Sequence, residues 1–165
     1  MSNTISTEEA DWSRERLICG TYEPWKRLLR VIRRYQVVSR QGGIGGVFKP
    51  FLVLRYRFWS AVCGADIPLN SQLGGGLIIP HPNGIVIHPD AVIGPNCLVF
   101  QQVTIGTGSK AGVPRIGGHV DIGAGAKVLG GIIIGDNVKI GANSVVLSDI
   151  PDNCVAVGVP ARIIS

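Results

Sequence analysis

From Ile116 to Val146 the chain reads IGGHVD, IGAGAK, VLGGII, IGDNVK, IGANSV, V. An aliphatic residue recurs at Ile116, Ile122, Val128, Ile134, Ile140 and Val146, always six residues on. Neither the 3.6-residue period of an amphipathic helix nor the alternation of a half-buried strand fits that spacing. Working towards the N-terminus, the same step takes in Ile87, Ile93, Val99 and Ile105, and before them Ile67, Leu73 and Ile79, thirteen positions in all. It breaks twice: eight residues separate Ile79 from Ile87, and eleven separate Ile105 from Ile116. Four residues after the aliphatic position stands a small or aliphatic one, as in Val120, Ala126, Ile132, Val138, Ser144 and Ile150.

A six-residue step suits a three-sided prism in which a short strand and a tight corner make each face and three faces close a coil. The aliphatic side chain points inward and stacks on its counterparts in the coils above and below, each burial contributing about 1.5–3 kcal/mol. Thirteen such steps give a little over four coils, enough for a continuous core. Glycine follows the aliphatic position at Gly74, Gly94, Gly106, Gly117, Gly123, Gly135 and Gly141, where the corner is expected to need backbone angles that a Cβ would penalise. The chain's 23 glycines lack the every-third spacing of collagen, so the prism is what accounts for them. The expected fold is mainly β, a parallel β-helix over residues 65–165 preceded by a short α-helical segment over residues 1–64.

In that first segment Ser6 followed by Glu9 reads as a capping box opening a short helix to about Ile18. Pro24 starts a second helix with Trp25, Leu28, Leu29, Ile32 and Tyr35 or Gln36 on one face and the arginines opposite. Gly42-Gly43-Ile44-Gly45-Gly46 ends it, and a third helix runs from about Phe51 to Cys63.

Hydrophobic content of 45% against 16% charged residues excludes a disordered chain. Residues 1–64 carry 11 Lys/Arg against 5 Asp/Glu, whereas residues 65–165 carry 5 against 6. The net +5 charge therefore belongs to the helical segment, and nothing points to nucleic acid. Lys26, Arg27, Arg30, Arg33, Arg34 and Arg40 follow one another without an intervening acid. Such a run is a solvated helix face, or one that meets an anionic membrane surface or a phosphorylated substrate. The apolar stretch Val47–Val62 contains Lys49, Arg55 and Arg57 and is a poor membrane span, though it has the character to lie on a membrane. Four scattered cysteines and no secretory signal are expected of a cytoplasmic protein with reduced thiols, its basic helices able to touch the inner face of the membrane.

Three histidines are available for chemistry. His81 sits in Ile79-Pro80-His81-Pro82-Asn83-Gly84, at the first register break, where residues are extruded from the regular wall. Asp66 stands fifteen residues earlier; a separation near one coil would set it beside His81, fixing the ring's tautomer and raising its basicity. His88 and His119 fall at or near regular corners, where exposure to solvent is the expected role. The spacings of seven and thirty-one between histidines do not suit a three-histidine zinc site, and no metal is expected.

Ala65-Asp66-Ile67, followed by His81-Pro82-Asn83-Gly84-Ile85-Val86-Ile87, resembles the active-site sequence of the serine acetyltransferases. The likeness runs on through Gln101-Gln102-Val103-Thr104-Ile105-Gly106 and Ile122-Gly123-Ala124-Gly125-Ala126-Lys127-Val128-Leu129-Gly130. It closes with Ile140 to Val146 and Val157-Gly158-Val159-Pro160-Ala161-Arg162. The resemblance implies a left-handed helix, a homotrimer with sites between neighbouring prisms, and acetyl-CoA as cosubstrate. It also implies an Asp66–His81 dyad that deprotonates a small hydroxyl acceptor, L-serine in that family. A backbone N–H at Gly106 or Thr107 would hold the oxyanion, Ala124 and Ala142 would contact the pantetheine arm through their main chain, and Lys139 and Arg162 would meet phosphates. The loop Thr107–Arg115, at the second register break, would fold over the substrates. There this chain reads Gly112-Val113-Pro114-Arg115 where the family carries Arg-His-Pro, and Pro80 stands where the family has Asp. Shortened relatives acetylate sugar hydroxyls in surface-polysaccharide assembly, which leaves a sugar acceptor as the alternative to serine. A non-catalytic β-helix scaffold is the third reading, and it predicts a disrupted dyad.

Overall fold

A computed structural model describes residues 5–41 and 47–164; the expected break at Gly42–Gly46 lies outside the described residues. A single 3-10 turn, Trp12–Glu15, precedes two helices, α1 (Pro24–Gln41) and α2 (Lys49–Cys63), and from Asp66 onward the chain winds a three-faced left-handed prism. One face stacks β2 (Val86–Ile87), β5 (Thr104–Gly106), β8 (Lys127–Leu129) and β11 (Val145–Val146) in parallel, with Asp66 bridged to Val86 at its head. The second stacks β1 (Gln72–Leu73), β3 (Val92–Ile93), β6 (Arg115–Ile116) and β9 (Ile133–Ile134). The third stacks β4 (Leu98–Val99), β7 (Asp121–Ile122), β10 (Lys139–Ile140) and β12 (Val155–Gly158), closed by the antiparallel β13 (Ala161–Ile163).

All thirteen six-step positions are buried, none more than 9% exposed. They form three columns: Ile67, Ile87, Ile105, Val128 and Val146; Leu73, Ile93, Ile116 and Ile134; Ile79, Val99, Ile122 and Ile140. Two of the columns are completed by Ile150 and Ala156. Trp25, Leu28, Leu29 and Ile32 of α1 join the same core and cover its first coil. Arg33 departs from the expected outer face: it is half-buried, paired with Glu15 at 2.9 Å, and donates to the carbonyls of Leu73 and Gly74.

Two expectations fail for physical reasons. The glycines after the aliphatic positions are there for close approach, not for unusual angles, since none of the seven has a positive φ. A Cβ on Gly74 would lie 2.4 Å from the backbone of Gly94, one on Gly94 2.4 Å from Gly117, and one on Gly117 2.8 Å from Gly135. Glycine thus lets successive coils stack. Left-handed angles fall instead further along the corners, at Asn96, His119, Asn137 and Asn153 on one edge and at Gly84, Gln102, Gly125 and Asn143 on another.

The helix expected from Ser6 to Ile18 shrinks to one turn. The Ser6 hydroxyl does accept from the N–H groups of Glu8 and Glu9. But the carbonyls of Ser6 and Glu9 are taken by the amide of Asn96, whose Oδ1 accepts from the Asp11 N–H at 2.8 Å. A buried tertiary partner displaces the helical bonds, and the segment lies along the prism edge as a strap.

Candidate active site

His81 lies on the corner between the third and first faces, where the first register break adds its two residues. Below it, that edge descends through an unbroken main-chain ladder. The Gln102 N–H donates to Asn83 O (2.9 Å), Gly125 N–H to Gln101 O (2.8 Å), and Asn143 N–H to Ala124 O (2.8 Å). His81, Ala124 and Ala142 therefore sit on one edge, in the first, third and fourth coils. With coils about 4.8 Å apart, the edge spans about 10–15 Å from His81 to the two alanines.

Asp66 heads the first face beside this corner. Its N–H donates to Ile85 O (2.8 Å) and its carbonyl accepts from Ile87 N–H (3.0 Å), while Gly64 O accepts from Gly84 N–H (2.7 Å). Because the break lengthens this coil, the residue stacked against Asp66 is Val86, and His81 stands at the corner five residues before it. Both side chains are exposed, and no hydrogen bond or ion pair joins them among the described residues. Tyr56 is the residue that sequence reasoning missed. Burial, with the Asp66 carboxylate adding to it, raises its phenol above the ordinary 10.0. Its signal was its spacing in α2 with Trp59 and Cys63, the face that packs on the prism core.

The other candidates lie elsewhere. Gly106 ends β5 opposite Leu129 and is buried, whereas Thr107, the first residue past the ladder, is exposed. Both stand at the far side of the first face from His81, about 15 Å away across five residues of strand. Gly106 also breaks the rule of its six counterparts, because a Cβ there would meet nothing within 4 Å. Lys139 and Arg162 are exposed on the third face, beside Val155 and Val157.

The loop at the second break is fastened at its middle. Gly131 N–H donates to Lys110 O (3.1 Å), and Lys110 Nζ pairs with Asp149 at 3.3 Å. Asp149 also accepts from the Ile133 N–H (3.0 Å), and that bond, followed by Lys110, holds its carboxyl below the usual 3.8. Val113 packs on the core.

The other two histidines and Cys97 have partners within the fold. His119 Nδ1 meets Asn137 Oδ1 at 2.8 Å in a corner ladder. His88 Nδ1 accepts from the Asp90 N–H at 3.2 Å. Cys97 is fully buried, its thiol directed to Gly117 O at 3.3 Å and pushed up to about 11 by burial. Among the described residues no three His, Cys, Asp or Glu side chains come together.

Residues 114–148 match the family described as bacterial transferase hexapeptide (six repeats). The chain is 49% identical over 104 residues to a serine acetyltransferase of Synechococcus elongatus, a match covering 61% of this chain and 43% of that protein. With a serine acetyltransferase of Helicobacter pylori it shares 46% identity over 107 residues, 63% of each. Among solved structures, a serine acetyltransferase from Brucella abortus superposes with a TM-score of 0.75 at 35% identity, covering 87% of this chain and 57% of that one. The Neisseria gonorrhoeae serine acetyltransferase in complex with serine gives a TM-score of 0.72 at 37% identity, covering 87% and 58%. The chain spans less than two thirds of the length of each of these relatives.

Proposed function

We propose that this chain, a serine acetyltransferase-like member of the hexapeptide-repeat transferases, moves an acetyl group from acetyl-CoA to the hydroxyl of a small acceptor. Residues 65–165 are the catalytic unit and residues 1–64 its helical preface. The observation that carries the reading is the shared edge: a histidine corner above two alanine corners, spaced to seat an extended thioester arm against main chain. A relative of the same architecture is described in complex with coenzyme A and another with serine.

In this mechanism His81 takes the acceptor's hydroxyl proton as that oxygen attacks the thioester carbonyl carbon, and later returns it to the departing thiolate of CoA. Asp66 holds the imidazole in the useful tautomer once substrates order the two exposed side chains. The oxyanion needs a donor about 3 Å away, and Thr107 N–H, past the end of the ladder, is freer than that of Gly106. Since Thr107 lies across the first face from His81, one chain does not bring them together. A neighbouring copy does, as in a homotrimer with sites between prisms. The cavities beside α1, the strap, α2 and the C-terminal hairpin are lined by neither His81 nor Asp66. Ala124 and Ala142 would contact the pantetheine arm, and Lys139 and Arg162, exposed cations on the adjoining face, the phosphates. The supply of acetyl-CoA puts the reaction in the cytoplasm.

L-serine is the acceptor that the relatives support. A sugar hydroxyl is the second reading, favoured by one observation: the loop offers Gly112 and a core-packed Val113, neither able to grip a carboxylate. Following thiol release from acetyl-CoA with serine and then with nucleotide-linked sugars separates the two, and no release with any hydroxyl acceptor would leave the scaffold reading.

A further inference from the structure

The outer side of α2 carries a stripe that the prism does not cover. Leu52, Tyr56, Trp59 and Cys63 pack inward, while Phe51, Leu54, Phe58 and Val62 are 57%, 66%, 59% and 41% exposed. At 100° per residue these four fall within an arc of about 80°, turned about 125° from the centre of the buried face. Arg57 and Arg55, both exposed, border it on either side, and the Arg55 guanidinium lies 5.8 Å from the Phe51 ring centre. Arg27, Arg30 and Arg34 of α1 are also exposed, Arg27 stacked 5.3 Å from the ring centre of Trp59. From Pro24 to Cys63 the chain holds nine Lys/Arg and no acid. Two of the nine, Lys26 and Arg33, pair with Glu23 and Glu15 from outside that stretch.

Single exposed apolar residues are ordinary, but a contiguous stripe bordered by cations is a docking surface. A second copy seated stripe to stripe would set two such cationic helix pairs against each other, which like-charge repulsion opposes. An anionic lipid surface offers the opposite charge, with an apolar layer just beneath it. No helix among the described residues is long and apolar enough to cross a membrane, so the geometry fits a helix in the plane of the surface.

We infer that α2 lies on anionic lipid, with Phe51, Leu54 and Phe58 at the acyl boundary and Arg55 and Arg57 at the phosphates. The helix ends three residues before Asp66, which sets the candidate site beside the headgroups. The inference rests on exposure and charge and stands apart from the acetyl-transfer reading.

The test is flotation of the purified full chain with vesicles of phosphatidylcholine containing about 30% phosphatidylglycerol, and with phosphatidylcholine alone. Binding to the anionic vesicles should be at least about tenfold tighter and should weaken with salt. It should be lost in a Phe51→Ser/Leu54→Ser/Phe58→Ser variant, whose changes fall at exposed positions. As a second variant, Arg55→Glu/Arg57→Glu should lose the preference for anionic lipid and leave the apolar stripe intact. Three outcomes overturn the inference: no flotation with either vesicle, anionic binding undiminished in both variants, or a serine variant that falls to a smaller assembly in light scattering, which would mean that a second copy covers the stripe.

Discussion

Gly106 faces Leu129 across the β5–β8 ladder, yet a Cβ on Gly106 would touch no atom within 4 Å. Its counterpart Gly94 would meet the Gly117 backbone at 2.4 Å. The same repeat position is therefore glycine for packing in one coil and for no reason within the chain in the other. Gly94→Ala should destabilise by about 1–3 kcal/mol, because backbone cannot step aside. Gly106→Ala should leave the urea midpoint unchanged or slightly raised, since it removes only unfolded-state freedom. On the proposed reading it should nevertheless lower kcat/KM, because substrate or a neighbouring copy would approach the open space there. A large loss of stability in Gly106→Ala would remove that distinction.

Burial pushes the Cys63 and Cys97 thiols up to about 11 from 9.0. The unfolded chain releases these protons first, so between those values it binds fewer protons than the native state and stability falls as pH rises. Below about pH 9 the two thiols should contribute no slope. Urea midpoints measured from about pH 8 to pH 10.5 should decline more steeply for the wild type than for Cys97→Val. Equal slopes would show that burial does not govern the thiol. At neutral pH a thiol reagent should modify exposed Cys19 well before either buried cysteine.

If a neighbouring copy brings Thr107 to His81 as proposed, light scattering should give three copies per particle at micromolar concentration. A fully active monomer would mean that the oxyanion donor lies on the same chain as the base.

The prism was legible because its signal is local and repetitive: a six-residue step needs no knowledge of distant contacts, and every one of its positions is buried. The His81 corner was legible as a break in that step. What the sequence hid was set by partners far along the chain. The strap at residues 5–16 gave every sign of a capped helix, and only Asn96, 85 residues beyond Asp11, explains why it is not one. The role of the repeat glycines was hidden likewise, since stacking clearance appears only when coils are superposed. So was Tyr56, whose helical spacing marks a packed face but not its nearness to Asp66. At the candidate site the coil that holds Asp66 is twenty residues long rather than eighteen, because of the two residues that the break adds, so the residue stacked on Asp66 is Val86 and His81 stands five residues before it.

The central claim is that His81 acts as the general base with Asp66 behind it, and a double-mutant cycle on acetyl-CoA thiol release tests it most directly. His81→Ala should lower kcat by about 10²- to 10⁴-fold while the affinity for CoA, read by thermal shift, barely changes. Asp66→Asn should lose less, and the double variant should lose little more than His81→Ala alone, as groups working as a unit do. A double variant showing the product of two independent losses, or a His81→Ala protein with undiminished kcat, would contradict the account.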